Sequence, residues 1–504
     1  MSIKQLAKNV YSQWFLQLLR LAVGFITTVF VARILGPEGY GVVASIFVFS
    51  NLFGFAIDPG FKGSIVRYVS VYSVSGKNYI PIIAGFLAYR ILMGSLLAVI
   101  FYVLAPYFAF MVNASKYVVA YQLFSISIFL SSIYSALRAY LRGIGRIDLA
   151  SLYYSIGFVA GNMLSLIFVL SGFGVLGYIS GLIIGDAIQF SIYMLTLKSL
   201  ISKCIRVDFN EALKGLKVIL PLSLTLLTSG LMNFLYNWFD RVLVLSLLGT
   251  YGLGLYSIAL RFANVFDVVR LSIASALTPY YGNLYGANGV DALRPRIRRA
   301  SKLISITYTP AVMVIAGLTS LLIPMVYGQN FTEAWPVATA HLVYLALTGF
   351  IMAYGGLAMI VEAKKEILMS SAVRALTSIA LEIMFITLGL GALGVIIGKD
   401  LAMTASFTYL YLTLFNKLKL LPDKKSLVTS VLIGSFLMSI VISATLLSYV
   451  WTLPAALIII IIIYVGSIRT FKLVDKGDVK VLKEALGTKA SKIVSIVENV
   501  LDID

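Results

Sequence analysis

The sequence predicts an all-α, polytopic membrane protein of about fourteen transmembrane helices, built as two six-helix lobes in a parallel repeat plus two C-terminal helices. Three observations lead there. Of 504 residues, 60% are hydrophobic and 12% charged, with a mean hydropathy of +0.96. Soluble domains run near ~45–50% apolar and ~25% charged, and no water-soluble fold of this length hides so much apolar surface. Lysine and arginine crowd into alternate connections between the apolar runs. Two glycine motifs recur at nearly the same offset.

A spanning helix needs about 20 mostly apolar residues. Runs that satisfy this lie near 12–35, 39–59, 79–106, 116–140, 150–171, 174–198, 217–247, 252–282, 302–327, 334–361, 367–389, 392–416, 426–448 and 452–469. The connections are short, so no large soluble domain is expected on either side. The first apolar run reaches Arg33, too long for a signal peptide.

Charge sets the expected orientation. One set of connections carries Lys62, Arg67 and Lys77; Arg138, Arg142 and Arg146; Lys203, Arg206, Lys214 and Lys217; Arg294, Arg296, Arg298 and Arg299; Lys364 and Lys365; and Lys417, Lys419, Lys424 and Lys425. The connections between them are nearly free of Lys and Arg, Lys116 being the main exception. With an even helix number, the positive-inside rule puts both termini in the cytoplasm of a multi-pass plasma-membrane protein. The tail beyond 470 places Leu482, Leu486, Ile493, Val497 and Val500 at helical spacing, which suits either an amphipathic helix on the inner leaflet or a passive cytoplasmic end.

The repeat is read from two motif pairs. Leu35-Gly36-Pro37-Glu38-Gly39-Tyr40-Gly41 and Leu248-Gly249-Thr250-Tyr251-Gly252-Leu253-Gly254 share L-G-x-x-G-x-G at an offset of 213. Gly172-Phe173-Gly174-Val175-Leu176-Gly177 and Gly389-Leu390-Gly391-Ala392-Leu393-Gly394 follow at 217. The expected division is a lobe over 1–205, a second over 206–420, two additional helices over 421–469 and a cytoplasmic tail over 470–504. Six helices per half insert both halves the same way up, the parallel repeat of a transporter.

Composition also excludes chemistry. The net charge of +19 is explained by the basic loops, so no nucleic acid is implied. A single cysteine, Cys204, and a single histidine, His341, leave no disulfide, no Cys- or His-based metal site and no hydrolase triad. His341 reads as a packed or hydrogen-bonded residue rather than a proton relay. There is no G-x-x-x-x-G-K-[ST], hence no built-in ATPase. No cofactor and no enzymatic activity are expected.

Ionisable residues inside spans cost about 2.5–3.5 kcal/mol on insertion scales, so they face the interior or water. Arg20, Arg90, Arg241, Arg261 and Arg270 are the candidate substrate-binding cations of a central cavity; Asp58, Asp186, Asp240 and Glu382 are candidates for ion coupling or pairing. Snorkelling or mutual pairing within the bundle is the competing reading. Arg374 and Glu382, eight apart on one face, are expected to pair. Asp240 and Arg241, as chain neighbours, are expected to point in different directions and not to pair. Lys399 and Asp400 also lie within a span.

Ala32-Arg33-Ile34-Leu35-Gly36-Pro37-Glu38-Gly39-Tyr40-Gly41, then Asp58-Pro59-Gly60 and Ser64-Ile65-Val66-Arg67, resemble the opening of polysaccharide (O-antigen type) flippases. That family belongs to the multidrug/oligosaccharidyl-lipid/polysaccharide (MOP) exporter superfamily. Asp240-Arg241, Gly254-Leu255-Tyr256-Ser257-Ile258-Ala259 through Arg261, Pro279 and Tyr327-Gly328 are similar to the family's C-terminal half. The resemblance covers most of 10–418. It implies a V-shaped, two-lobed transporter that moves a polyprenyl-diphosphate-linked oligosaccharide from the inner to the outer leaflet. Helices one, two, seven and eight would line its cavity, which places Arg20, Asp58, Asp240, Arg241 and Arg261 on or beside the path. Membrane lipids, and H+ or Na+ as coupling ion, are the implied partners, with a monomer favoured. Peptidoglycan-precursor flippases of this superfamily use their last two helices as a lipid groove, a role the two C-terminal helices could share. A multidrug or metabolite antiporter of the same fold is the alternative, but it would need an acidic cavity for organic cations.

Overall fold

A computed structural model gives the fold. It describes residues 3–58, 60–447, 452–475 and 477–478. The expected tail helix over 482–500, Pro59 and most of the 449–453 connection lie outside the described residues.

The described residues form helices and turns, with no strand. In chain order they are α1 (Ile3–Ile57), α2 (Phe61–Val74), α3 (Ile80–Met111), α4 (Val118–Gly143), α5 (Ile147–Phe168), α6 (Gly174–Thr196), α7 (Lys198–Ile205), α8 (Phe209–Asn288), α9 (Leu293–Tyr327), α10 (Trp335–Leu347), α11 (Leu357–Ile360), α12 (Lys364–Phe385), α13 (Gly391–Leu410), α14 (Lys424–Leu446) and α15 (Thr452–Thr470). Counted as continuous runs, eight are long and apolar enough to cross a membrane, or nine with the bent pair Gln329–Leu347 and Gly349–Ile360 taken as one span. This count of runs is lower than the expected fourteen spans because it takes as one run helices that are joined across a kink. Phe15–Ile57, Ile147–Thr196, Phe209–Asn288 and Lys364–Phe415 are 43, 50, 80 and 52 residues long, each interrupted at a glycine. Leu92, Phe110 and Leu432 are 68, 72 and 65% exposed, an apolar surface that only lipid accommodates. The chain is a multi-pass membrane protein.

Those interruptions repeat in backbone conformation. Gly36 (φ 67°, ψ 179°) and Gly249 (φ 67°, ψ −166°) take the same left-handed geometry, which a Cβ would strain. Pro37 then restarts the first helix, where its missing N–H is no loss. The second pair repeats more closely still. α5, a π-helical turn (Val169–Phe173) and α6 are matched by α12, a π-helical turn (Ile386–Leu390) and α13, each element starting 217 residues later. Gly172 (φ 89°, ψ 2°) corresponds to Gly389 (φ 84°, ψ 8°). A Cβ on Gly181 would sit 2.2 Å from the Ser165 nitrogen, and one on Gly398 would sit 2.7 Å from the Glu382 nitrogen. Corresponding glycines thus bring corresponding helix pairs together.

The chain falls into two compact units, Met1–Ser257 and Ile258–Asp504. The first has a core of Ile65, Val69, Phe86, Leu137, Tyr193 and Ile219. Within it the two L-G-x-x-G-x-G motifs cross reciprocally. A Cβ on Gly41 would lie 1.8 Å from the Thr250 carbonyl oxygen, and one on Gly254 would lie 2.0 Å from that of Pro37. In the second unit α14 and α15 pack on α9 through Ile306, Leu318, Leu437, Val441 and Ile460. The start of α9 is clamped by charge. Arg298 Nε lies 3.1 Å from Asp423 Oδ1, Arg299 Nε 3.2 Å from Asp478 Oδ1, and Lys302 Nζ 2.7 Å from Asp475 Oδ2. Asp423 also accepts from the Ser426 backbone N–H at 3.1 Å, capping α14.

Candidate functional site

The most unusual charge arrangement lies in the first unit, on α1, α4 and α5. Gly24 meets only the Phe158 ring, at 3.4 Å from an added Cβ, so α1 can lie close on α5. Arg20, one turn earlier, then reaches Tyr154 and Ser155. Its guanidinium carbon is 5.2 Å from the Tyr154 ring centroid and its Nη1 donates to Ser155 Oγ. Arg138, near the end of α4, stacks on the same ring at 3.9 Å. Its Nε is buried without a hydrogen-bond partner. Among the described residues neither guanidinium forms an ion pair with a carboxylate. Two like charges beside one ring repel, and a bound anion would relieve both. Of these two, the sequence singles out Arg20. Arg138 reads as one of three loop cations at i, i+4 spacing, and only its helical position against the aromatic Tyr154 separates it from Arg142 and Arg146.

Arg90 lies deep, as its position in the third span implies, and is 2% exposed. Its Nε donates to the Ser132 carbonyl at 2.8 Å, its Nη1 to the Ile57 carbonyl at 3.3 Å, and its Nη2 to Ser135 Oγ. Asp58 Oδ2 lies 3.8 Å away. Arg90 therefore ties the C-terminal carbonyl end of α1 to α3 and α4, where a cation is favoured. Asp58 itself holds Lys62 at 2.9 Å. Asp186 accepts from the Tyr134 hydroxyl at 3.0 Å.

Asp240 is fully buried and accepts from the Tyr256 hydroxyl at 2.7 Å. The expectation that Asp240 and Arg241 cannot pair is corrected: Arg241 Nη1 lies 3.5 Å from Asp240 Oδ1. The long side chain curls back along its own helix, donates to the Asn237 carbonyl and passes over Trp238 at 5.0 Å.

In the second unit Arg261 is exposed on α8. Arg270 Nε pairs with Asp267 Oδ1 at 2.6 Å and shares with Arg374 the lining of a cavity of about 300 Å³. A larger, mainly apolar groove of about 490 Å³ is lined by Tyr344, Leu347, Leu401, Thr404 and Phe407. Glu382 is fully buried and accepts from Ser378 Oγ. His341 Nδ1 meets both carboxylate oxygens of Asp400, at 2.8 and 3.0 Å. Among the described residues no three His, Cys, Asp or Glu side chains are placed to hold a metal ion.

Residues 30–336 match the model of a family described as polysaccharide biosynthesis protein. No curated protein matches the chain. Among solved structures, the lipid II flippase MurJ in an inward closed conformation superposes with a TM-score of 0.70 at 16% identity, over 91% of this chain and 98% of that one. An inward-facing multidrug resistance MATE family transporter of the MOP superfamily gives 0.60 at 18%, over 84% and 95%. A mutant of the Vibrio cholerae MATE transporter VcmN gives 0.53 at 18%, over 82% and 97%. At these identities the likeness is one of fold: two-repeat, all-helical and of MOP type.

Proposed function

This chain belongs to the polysaccharide biosynthesis protein family and carries the MOP transporter fold, and from that premise we propose that it is a flippase for polyprenyl-diphosphate-linked oligosaccharide. It moves this substrate from the inner to the outer leaflet of the plasma membrane by alternating access, with both termini cytoplasmic and no covalent chemistry. The observation that carries the reading is the pair of guanidiniums on Tyr154. Arg20 and Arg138 are planar, bidentate donors gathered at one ring, with no carboxylate paired to either among the described residues, and donors of that kind suit phosphate oxygens. The solved MurJ structure, a lipid II flippase, supports the same class of cargo. Arg241, Arg261 and Arg270 serve as further cations along the path, and Asp58, Asp186, Asp240 and Glu382 balance charge or couple an ion, H+ or Na+. Arg90, which the sequence also offers to the path, is assigned to packing, because its donors meet carbonyls. An antiporter for organic cations would need a carboxylate where these two arginines stand.

The test is transport of a fluorescent polyprenyl-diphosphate oligosaccharide in proteoliposomes. Charge-assisted hydrogen bonds contribute about 1.5–3 kcal/mol, so Arg20→Ala and Arg138→Ala should each weaken substrate affinity tenfold or more. Arg→Lys should recover only part, since a point charge replaces a fork. Folded Arg20→Glu and Arg138→Glu proteins with wild-type transport would remove the site.

A further inference from the structure

The one histidine of the chain has no part in the function proposed above. His341 stands at the middle of α10, with Nδ1 facing both oxygens of Asp400 on α13. The two side chains are 13 and 6% exposed. Tyr344, one turn on, lies nearly parallel to the imidazole, with 6.0 Å between ring centroids. Lys399 adjoins from α13 and is 8% exposed. From α8 come Asp267 and Arg270, paired with each other, and Arg270 acts electrostatically on both Asp400 and Tyr344. From α9 comes Tyr308, whose hydroxyl donates to the Phe266 carbonyl at 3.2 Å. The segment before α10 carries Glu333, which is exposed, and the segment after it carries Tyr354, which donates to the Leu420 carbonyl.

Within this group the two carboxylates Asp267 and Asp400 match the two fixed cations Arg270 and Lys399. Histidine is the side-chain type whose ordinary titration range falls in physiological pH. The contact also adjoins a groove. Leu401 and Thr404, just after Asp400, line the 490 Å³ groove together with Tyr344 and Leu347 from the helix of His341.

We propose that the His341–Asp400 pair is a proton-binding site that sets how closely α10 holds α13, and with it the width of the groove the two helices line. One proton from water adds to the Nε2 lone pair while Nδ1–H stays on the carboxylate. A neutral hydrogen-bond donor becomes an imidazolium, and the contact, charge-assisted from the carboxylate side already, becomes an ion pair with the added attraction of opposite charges. Where the protein works as a flippase, a reading this use rests on, the pair is a further place, besides the carboxylates named above, at which a proton couples to lipid movement.

The chain's own composition makes the test clean. In 15N-histidine-labelled protein in nanodiscs, the imidazole signals belong to His341 alone. Between pH 5 and 8 they should pass from the neutral Nδ1–H form to the imidazolium. In a Cys204→Ser, Thr404→Cys background, maleimide labelling relative to the denatured protein should change at least threefold over the same range. With His341→Gln added it should be flat. An imidazole that keeps one protonation state throughout, or a labelling profile that is flat or survives His341→Gln, overturns the proposal. Should His341→Gln not fold, Asp400→Asn decides: the imidazole transition must move along the pH axis, and an unmoved one overturns the pair. No glycolipid enters this experiment. Protein that passes it yet transports no lipid-linked glycan keeps the proton site and loses the flippase reading, and the converse separates the two equally.

Discussion

Gly41→Ala adds one methyl group at the place where the two repeated motifs cross. That methyl would lie 1.8 Å from the Thr250 carbonyl oxygen, 1.2 Å inside the 3.0 Å that real Cβ contacts respect, and 2.6 Å from the carbonyl carbon. The obstacle is backbone, so no rotamer change relieves it, and the helices must separate by about an ångström. Overpacking of this kind costs about 1–3 kcal/mol. Replacing a helical glycine by alanine returns at most about 1 kcal/mol through helix propensity. Gly54→Ala supplies the control, because Gly54 is helical on the same α1 and has nothing within 4 Å of an added Cβ. Thermal unfolding of both variants in the same nanodisc should therefore diverge, with Gly41→Ala melting below wild type and Gly54→Ala at or above it. Gly254→Ala, meeting the Pro37 carbonyl at 2.0 Å, should fall with Gly41→Ala. Equal melting of Gly41→Ala and Gly54→Ala would refute the crossing as a tight backbone contact.

Arg90→Ala should lower stability by about 3 kcal/mol, because it strips the Ile57 and Ser132 carbonyls of a charged donor inside the membrane; an unchanged melting temperature in nanodiscs would contradict that role. Asp423→Ala should lose about 0.5–2 kcal/mol with the cap of α14. Burial pushes the Asp423 carboxyl up, but hydrogen bonds from Ser426 and Arg298 outweigh it and hold it below the usual carboxylate range. A depressed carboxyl stabilises above its unfolded pKa of about 3.9 and ceases to do so as pH falls through its folded value. The gap in melting temperature between wild type and Asp423→Asn should accordingly be constant from pH 5 to 7 and close below about pH 4. Asp475, held low first by its hydrogen bond from Lys302 and then by the Asp478 backbone, should give Asp475→Asn the same pH profile. For orientation, a cysteine replacing Asn330 should react with an impermeant maleimide from outside whole cells and one replacing Arg296 should not.

The fold was legible because its signals are local. Apolar length, the L-G-x-x-G-x-G pair and the Gly172/Gly389 pair all mark backbone events, and the glycines take matching dihedrals in the structure. The same glycines mark where one helix gives way to the next, although a kink and a loop share their composition and the sequence does not tell the two apart. The candidate site was legible only in part. The depth of Arg90 follows from counting residues, but the Ile57 carbonyl it meets comes from another helix. Arg138 carries the i, i+4 spacing of a solvated face, and nothing nearby in sequence announces Tyr154 as its partner. The Asp240–Arg241 contact depends on one flexible side chain folding back over a turn. The His341–Asp400 pair joins residues 59 apart, beyond any periodicity.

Position 165 and position 382 occupy the same place in the two repeats, each facing its glycine, Gly181 or Gly398. One is a serine bonded to the Tyr178 carbonyl; the other is a glutamate bonded to Ser378. A parallel repeat relates its halves side by side and not inside to outside, so two chemically identical halves would offer a substrate the same surface twice. Duplication followed by such unequal replacements breaks that degeneracy. The backbone supplies two like halves, and what distinguishes them is written in the side chains at which the two copies disagree, Ser165 and Glu382 among them.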